Sequence, residues 1–378
     1  MFGVASYVTL FGVSFGVYGS PGVDYVADEV ILAFKASTPA LAREALTWSL
    51  GAYAIAQDGD SVTLKLPRGL APSAALGRLA RSPYLEFAEP NYLAHAASKD
   101  DPAYSSQYGI VQTFCNAAWE REDGGYGATI AVLDTGIDRE HPEFAFRTLP
   151  GYDFVNKDAN PADDNGHGTL CAGIAAAAAD NGIGIAGVAY RAAILPVKVL
   201  DRQSKGSYSN IAQGIRWAAD QGADVISMSL AGSSSSSTLK SALEYAVNKG
   251  VVVVAAAGNG GNTRKMYPAA YPLVVSVSAV DRRKRRPSYA TYGSWVDVAA
   301  PGDAIYSTYP GSTFRTANGT SMASAFVAGQ AALIRAYVGP EASGRDIARK
   351  IEQTSVKLGT WTRYGLVNVY RSLSGDGG

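Results

Sequence analysis

Between residues 128 and 280 the chain alternates short apolar runs with longer stretches whose apolar residues recur at helical spacing. The runs 128–133, 193–199, 224–230, 250–257 and 273–280 are rich in β-branched residues, and several show no polar alternation. Strands buried on both faces read this way, so the runs predict a parallel sheet. The stretches 168–179, 208–220 and 236–248 predict helices between them. Together they predict an α/β fold, a parallel twisted sheet with helices on both faces. Side chains that do chemistry gather beyond the carboxyl ends of such strands. One more run, 322–334, is broken only by Ser324, Gly329 and Gln330. A helix apolar all round belongs in the interior.

Residues 24–95 follow another pattern. Strands are predicted at 29–34 and 61–66, helices at 39–50, opened by Thr38, and at 71–80, and 85–93 is extended again. This is a small α+β unit. The polar run 98–102 reads as a linker, and 94–98 as a place for the chain to be cut. Residues 1–23 form an apolar, glycine-rich leader with no Lys or Arg before Lys35. The missing basic segment departs from a secretory signal, whereas Val17 and Gly19 suit a cleavage site. Gly3, Gly12 and Gly16 interrupt the leader, which is too short for a stable membrane span.

The length of 378 residues accommodates one large domain and a smaller one. Lys plus Arg and Asp plus Glu number 33 each, so nothing global favours nucleic acid or an anionic membrane. Two cysteines, Cys115 and Cys171, are too few for a disulfide scaffold.

Ser321 stands at the mouth of the apolar helix. The unpaired N–H groups there suit a nucleophilic oxygen, and a helix-capping serine would occupy the same place. Asp134 ends the strand 129–133, where a carboxylate needs a partner. Asp134-Thr135-Gly136 has no second copy, which excludes the paired carboxylates of an aspartic protease. Of three histidines, His95 precedes the expected cut and His141 lies before Pro142 in a loop, in a structural role. His167, between Gly166 and Gly168 at a helix start, is free to reach into a cleft. Gly182-Ile183-Gly184-Ile185-Ala186-Gly187 matches a dinucleotide fingerprint, but a helix precedes it and a strand follows, the reverse of what nucleotide binding needs. Asn259, at the end of a strand, either caps a turn or donates to an oxyanion. The basic run 282–286 reads as a solvated, cleavable loop, with a partner-binding surface as the alternative.

Asp134-Thr135-Gly136, Asn165-Gly166-His167-Gly168-Thr169, Ala257-Gly258-Asn259 and Gly319-Thr320-Ser321-Met322-Ala323, in this order, resemble the subtilisin-like serine proteases, the thermitase-like members among them. Tyr292 to Gly302 adds to the match. The resemblance implies a serine endopeptidase over residues 98–378, preceded by a ferredoxin-like inhibitory propeptide at 24–97. It implies Ser321 as nucleophile, His167 as general base, Asp134 as its orienting acid, and Asn259 with the Ser321 N–H as oxyanion hole. Extended peptides would lie between Ser204-Lys205-Gly206 and Ser229-Leu230-Ala231, with Ala256, Ala257 and Gly258 lining the first specificity pocket. Ala231 replaces a usual glycine and narrows its entrance, and Lys205 favours acidic residues upstream.

The resemblance further implies a structural calcium held by Asp101, Glu143, the Asn181 side chain and the carbonyls of Ala179, Ile183 and Ile185. A second, altered site is implied at Asp153, Asn156, Asp158 and Asn160. The expected protein is a secreted monomer, made as an autoprocessed zymogen. Two departures stand out: Leu170 replaces a usual histidine, and Ser324-Ala325-Phe326 lacks the usual proline, which predicts a looser turn behind Ser321. Cys171 resembles a buried cysteine of related members, and a small apolar filler is its expected role. Two other functions remain open at this point, an acyl transferase and a non-catalytic binding protein that retains its propeptide.

Overall fold

The computed structural model describes residues 7–10, 13–16, 25–80, 82–92 and 100–374. The chain divides into two compact units, Met1–Ser98 and Lys99–Gly378. The expected cut at 94–98, His95 and most of the leader lie outside the described residues. Within the leader, Tyr7–Leu10 and Val13–Gly16 pair as an antiparallel hairpin.

After this hairpin the first unit runs strand, helix, strand, strand, helix, strand. Its antiparallel sheet has the order Tyr53–Asp58, Ser61–Lys65, Tyr25–Phe34, Leu85–Tyr92, the ferredoxin-like arrangement. Val30, Leu32, Phe34, Leu64, Ala75 and Leu79 fill the core beneath the helices Ala40–Ser49 and Pro72–Leu79. Tyr53–Asp58 is a strand the hydrophobic pattern does not show. It lies at the sheet edge with all six residues exposed, so burial imposes no alternation on it. Thr38 does not open the first helix. Pro39 takes the N-cap, and the Thr38 hydroxyl donates to Tyr84 O (2.9 Å).

In the second unit eight strands form one parallel sheet, in the order Gly365–Leu366, Val298–Pro301, Val275–Val280, Val252–Ala256, Val225–Met228, Thr129–Asp134, Ala193–Lys198, Tyr152–Asp153. Five of these strands are buried along their whole length, which explains their unbroken apolar runs. The helices His167–Ala176 and Thr320–Val338 pack together on one face, and Tyr208–Asp220 with Ser237–Asn248 on the other. The strand order reverses at Thr129–Asp134, which has Ala193–Lys198 on one side and the next strand in sequence, Val225–Met228, on the other. Chains leaving adjacent strands in opposite directions open a crevice at their carboxyl ends. Asp134 ends a strand there, and residues 204–206 and 229–231 follow strands that end there.

The helix predicted at 168–179 stops at Ala176. Ala177 turns extended (ψ 145°), Ala178 N–H donates to Glu143 O and Gly187 N–H to Ala177 O. Tertiary hydrogen bonds replace the helical ones that three more alanines would otherwise make. The basic run 282–286 is solvated, with residues 282–285 exposed, and three of its side chains have partners. Arg285 pairs with Asp281 (2.8 Å), while Arg282 lies over the Tyr108 ring and Arg286 over Tyr292. No helix among the described residues is long and apolar enough to cross a membrane.

Candidate active site

Asp134 closes its strand with a side chain only 1 % exposed, and its Oδ1 lies 2.7 Å from His167 Nδ1. Oδ1 also accepts Thr135 N–H (2.8 Å), whereas the buried Oδ2 has no hydrogen-bond partner among the described residues. His167 begins its helix after Gly166, whose φ of 104° is a left-handed value that a side chain would strain. A Cβ on Gly168 would stand 2.0 Å from Gly136 O, so only glycine lets the helix start press against the Asp134 loop. Burial opposes the charged imidazole, but the carboxylate of Asp134 outweighs it and holds the His167 pKa well above the ordinary value. Cys171 Sγ lies 4.0 Å behind Nδ1, buried in the helix.

Two supports of His167 are not legible from motifs. Asp163 accepts five hydrogen bonds, from Thr135 Oγ1, Asn165 N–H and Gly166 N–H at Oδ1 and from Thr169 N–H and Oγ1 at Oδ2. It thereby joins the Asp134 loop to the His167 helix. An acid four residues before the histidine, with a threonine two after it, is the signal that could have found it. The second support is the hairpin Ile305–Tyr309 and Thr313–Ala317. Its Ser307 and Thr308 hydroxyls donate to Leu170 O and Thr169 O, and the Tyr309 hydroxyl donates to Asn165 O. His141 accepts Glu143 N–H and lies 3.1 Å from Thr313 O, a structural role.

Ser321 is the second residue of its helix, and Gly319 is the N-cap, so Ser321 does not cap. Its Oγ donates to Ser229 O (3.2 Å), and Ser229 Oγ donates back to Ser321 O (3.0 Å). No hydrogen bond joins Ser321 to His167 among the described residues. The helix runs unbroken through Ser324, Ala325 and Phe326, and Ser324 Oγ donates to Ser321 O (2.9 Å). The helix is thus continuous where the usual proline is missing. Leu170 is 5 % exposed and Phe326 3 %, both within the core.

Asn259 follows the strand Val252–Ala256. Thr320 N–H donates to its Oδ1 (2.9 Å), as does the Thr320 hydroxyl (3.1 Å). An N–H can only donate, so the oxygen must face Thr320 and the Nδ2 donors are left to point elsewhere. Gly258 N–H is fixed by Thr320 Oγ1 (3.0 Å), and Ala256 and Ala257 are buried before it. His167, Ser204, Lys205, Gly206, Ser229, Leu230 and Ala231 line a common cleft of ≈ 410 Å³.

The segment 177–187 folds over Asp101 and Glu143. Asp101 accepts the N–H groups of Asp180 and Asn181, while Glu143 accepts Ile185 N–H (2.9 Å) and Asn181 Nδ2 (3.1 Å). Burial raises both carboxyl pKa values, that of Glu143 to about 7. Arg147, which donates to the Glu143 carbonyl, is a cation that favours the Glu143 carboxylate, and the carbonyls of Ala179, Ile183 and Ile185 accept no hydrogen bond among the described residues. Two buried carboxylates against the segment that carries those carbonyls offer oxygen donors only, the kind that suits calcium, with Asn181 Oδ1 already accepting Ile183 N–H (2.8 Å). The cluster at Asp153 fits less well. That carboxylate already accepts Val155 N–H, Asn156 N–H and Asn156 Nδ2, and Asp158 accepts Asn160 N–H.

At the switch point of the parallel sheet a carboxylate–imidazole pair lines a cleft whose wall residue Ser229 holds a helix-borne serine, an arrangement suited to the serine-protease class. Residues 125–370 match the subtilase family, and the chain belongs to that family. Residues 13–91 match the fervidolysin N-terminal prodomain, a span that reaches into the stretch assigned to the leader. The chain is 44 % identical over 361 residues to a thermophilic serine proteinase of Bacillus sp. strain AK1, covering 93 % of this chain and 88 % of that one. It is 49 % identical over 278 residues to thermitase of Thermoactinomyces vulgaris, covering 72 % and 98 %. Among solved structures, a protease from Pseudoalteromonas arctica superposes with a TM-score of 0.69 at 32 % identity, covering 74 % of this chain and 99 % of that one. The protein is thus a subtilase-family serine protease with a prodomain.

Proposed function

We propose that Asp134, His167 and Ser321 act as one catalytic triad that hydrolyses peptide bonds in extended protein substrates. The observation that carries the reading is the 2.7 Å bond between His167 and Asp134 at the wall of a cleft shared with Ser229, whose backbone and hydroxyl both hold Ser321. The Ser321 hydroxyl swings from Ser229 O to His167 Nε2, loses its proton there and attacks the scissile carbonyl. His167 then returns the proton to the leaving amine, and water hydrolyses the acyl-enzyme. Substrate lies as an added strand between 204–206 and 229–231, with its first specificity residue against 256–258. Lys205 favours acidic residues upstream, and Ala231 narrows the pocket entrance. Residues 24–97 inhibit this cleft until the enzyme cuts itself near 94–98, and the mature protein is secreted as a monomer. Labelling with a fluorophosphonate tests the reading: after prodomain removal Ser321 takes the label, and an unlabelled enzyme would end the protease assignment.

The oxyanion is received by Asn259 Nδ2 and Ser321 N–H. Asn259→Ala is expected to lower kcat by about 10²–10³-fold with little change in KM, the effect of losing the equivalent donor in subtilisin. Steady-state kinetics on a peptide anilide would show it, and an unchanged kcat would remove Asn259 from the site. Asp101, Glu143, Asn181 and the carbonyls of Ala179, Ile183 and Ile185 hold calcium, which supplies the charge their buried carboxylates lack. At a hundredfold excess over Kd, calcium stabilises by about 2.7 kcal/mol, so a chelator should lower Tm by about 5–10 °C. Calorimetry of Glu143→Ala should show no response to chelator. A calcium-dependent Tm in that variant would place the ion elsewhere.

A further inference from the structure

Lys198 is buried, with a side chain 1 % exposed, and it ends the strand beside Asp134, its register partner. Yet its ammonium does not bind the Asp134 carboxylate. Nζ donates to Thr135 O (2.5 Å), Asp164 Oδ1 (2.6 Å) and Leu200 O (3.1 Å), which uses all three of its N–H groups. Each acceptor belongs to a different loop. Thr135 follows Asp134, Asp164 lies three residues before His167, and Leu200 leads into the 204–206 wall of the cleft. A buried ammonium with every donor satisfied is retained only where its partners stay in place, because releasing one leaves charge unpaired in the interior. We infer that Lys198 is a positioning residue, one cation that fixes the Asp134 loop, the His167 loop and the cleft wall relative to one another.

This inference rests on the proposed triad. Lys198 touches no reacting atom and acts through the Asp134–His167 pair. The loops have other ties, such as Asn165 Nδ2 to Arg202 O (2.9 Å) and Leu200 N–H to Asp134 O (3.1 Å), so the fold should survive without the ammonium while the pair drifts. A displacement of about 1 Å in a catalytic group lowers turnover by as much as 10²-fold.

The test compares wild type, Lys198→Met and Lys198→Arg, each freed of its prodomain and counted by burst titration of Ser321. For Lys198→Met the expected result is a kcat per titrated site about 10–100-fold lower, with a lower pKa on the acid limb of kcat/KM and a weakened low-field proton resonance of the Asp134–His167 bond. Lys198→Arg, which keeps a multidentate cation, should recover most of the loss. A Lys198→Met enzyme with lower Tm but unchanged kcat, limb and resonance would overturn the inference and leave Lys198 a stabilising residue only. If Lys198→Met does not fold, Asp164→Ala decides, since Asp164 is half exposed and its loss removes one leg of the clamp. A several-fold lower kcat supports the inference, and an unchanged one overturns it. Failure of the wild type to titrate would instead count against the triad itself.

Discussion

Ser321→Ala is expected to abolish both peptide cleavage and release of the prodomain, with kcat falling by about 10⁶-fold. Removing the nucleophile of subtilisin has an effect of this order, and the residual rate over water reflects the oxyanion donors and binding alone. Here those donors should survive. Ser321 N–H belongs to the helix backbone, and Asn259 is held by Thr320 rather than by the Ser321 hydroxyl. The substitution removes one hydrogen bond, from Ser321 Oγ to Ser229 O, while Ser229 Oγ and Ser324 Oγ still donate to Ser321 O. Stability should therefore change by no more than about 1 kcal/mol. A gel showing the full-length chain uncut, beside a wild type that has shortened itself, checks the processing. Cleavage that persists in the variant would assign the nucleophile elsewhere.

Asp134→Asn should lower kcat by about 10⁴-fold and shift the pH profile. A carboxylate can only accept, so in the proposed triad Asp134 keeps the proton on His167 Nδ1 and leaves Nε2 to take one from Ser321. An amide can turn its Nδ2 to the ring and select the opposite tautomer. In the wild type the raised His167 pKa means that activity climbs as pH rises through it, because only the neutral ring is a base. Stability runs the other way. The ion pair's contribution is fully present below the unfolded imidazole pKa and is lost as pH rises through the folded one. Between those two values the enzyme gains activity while it gives up this increment. Asp134→Asn should move the acid limb of kcat/KM down and flatten the matching slope in Tm. A limb that stays in place would mean that Asp134 does not set the His167 charge.

How much of this could be read from the chain depends on what each residue is buried against. The strands at 225–228, 252–256 and 275–280 were legible because both of their faces are covered, which leaves no room for polar alternation. Asp134 was legible because a carboxylate after such a strand needs a partner. The end of the His167 helix was not legible. Alanines at 177–179 favour helix, and what stops them is Glu143 O, 35 residues before Ala178. The hairpin at 305–317 shows neither a buried face nor a clean alternation, since its residues divide between solvent and the His167 helix. Asp163 was overlooked for a related reason. Its local spacing before His167 carries only a faint signal, because the tie to the Asp134 loop through Thr135 Oγ1 comes from 28 residues away. The side chains that do chemistry showed through their neighbours in sequence, whereas those that hold them act across loops.

The basic loop at 282–286 has a bearing on how long a solution of this enzyme keeps. Any copy is food for the next, and a segment is edible only if it can peel away and straighten along a neighbour's cleft. Arg282, Arg285 and Arg286 each meet a ring or a carboxylate of their own molecule, so a sibling that takes this exposed stretch must first break those contacts. Salt, which loosens the Arg285–Asp281 clasp, should shorten the working life of a concentrated stock before it unfolds a single domain.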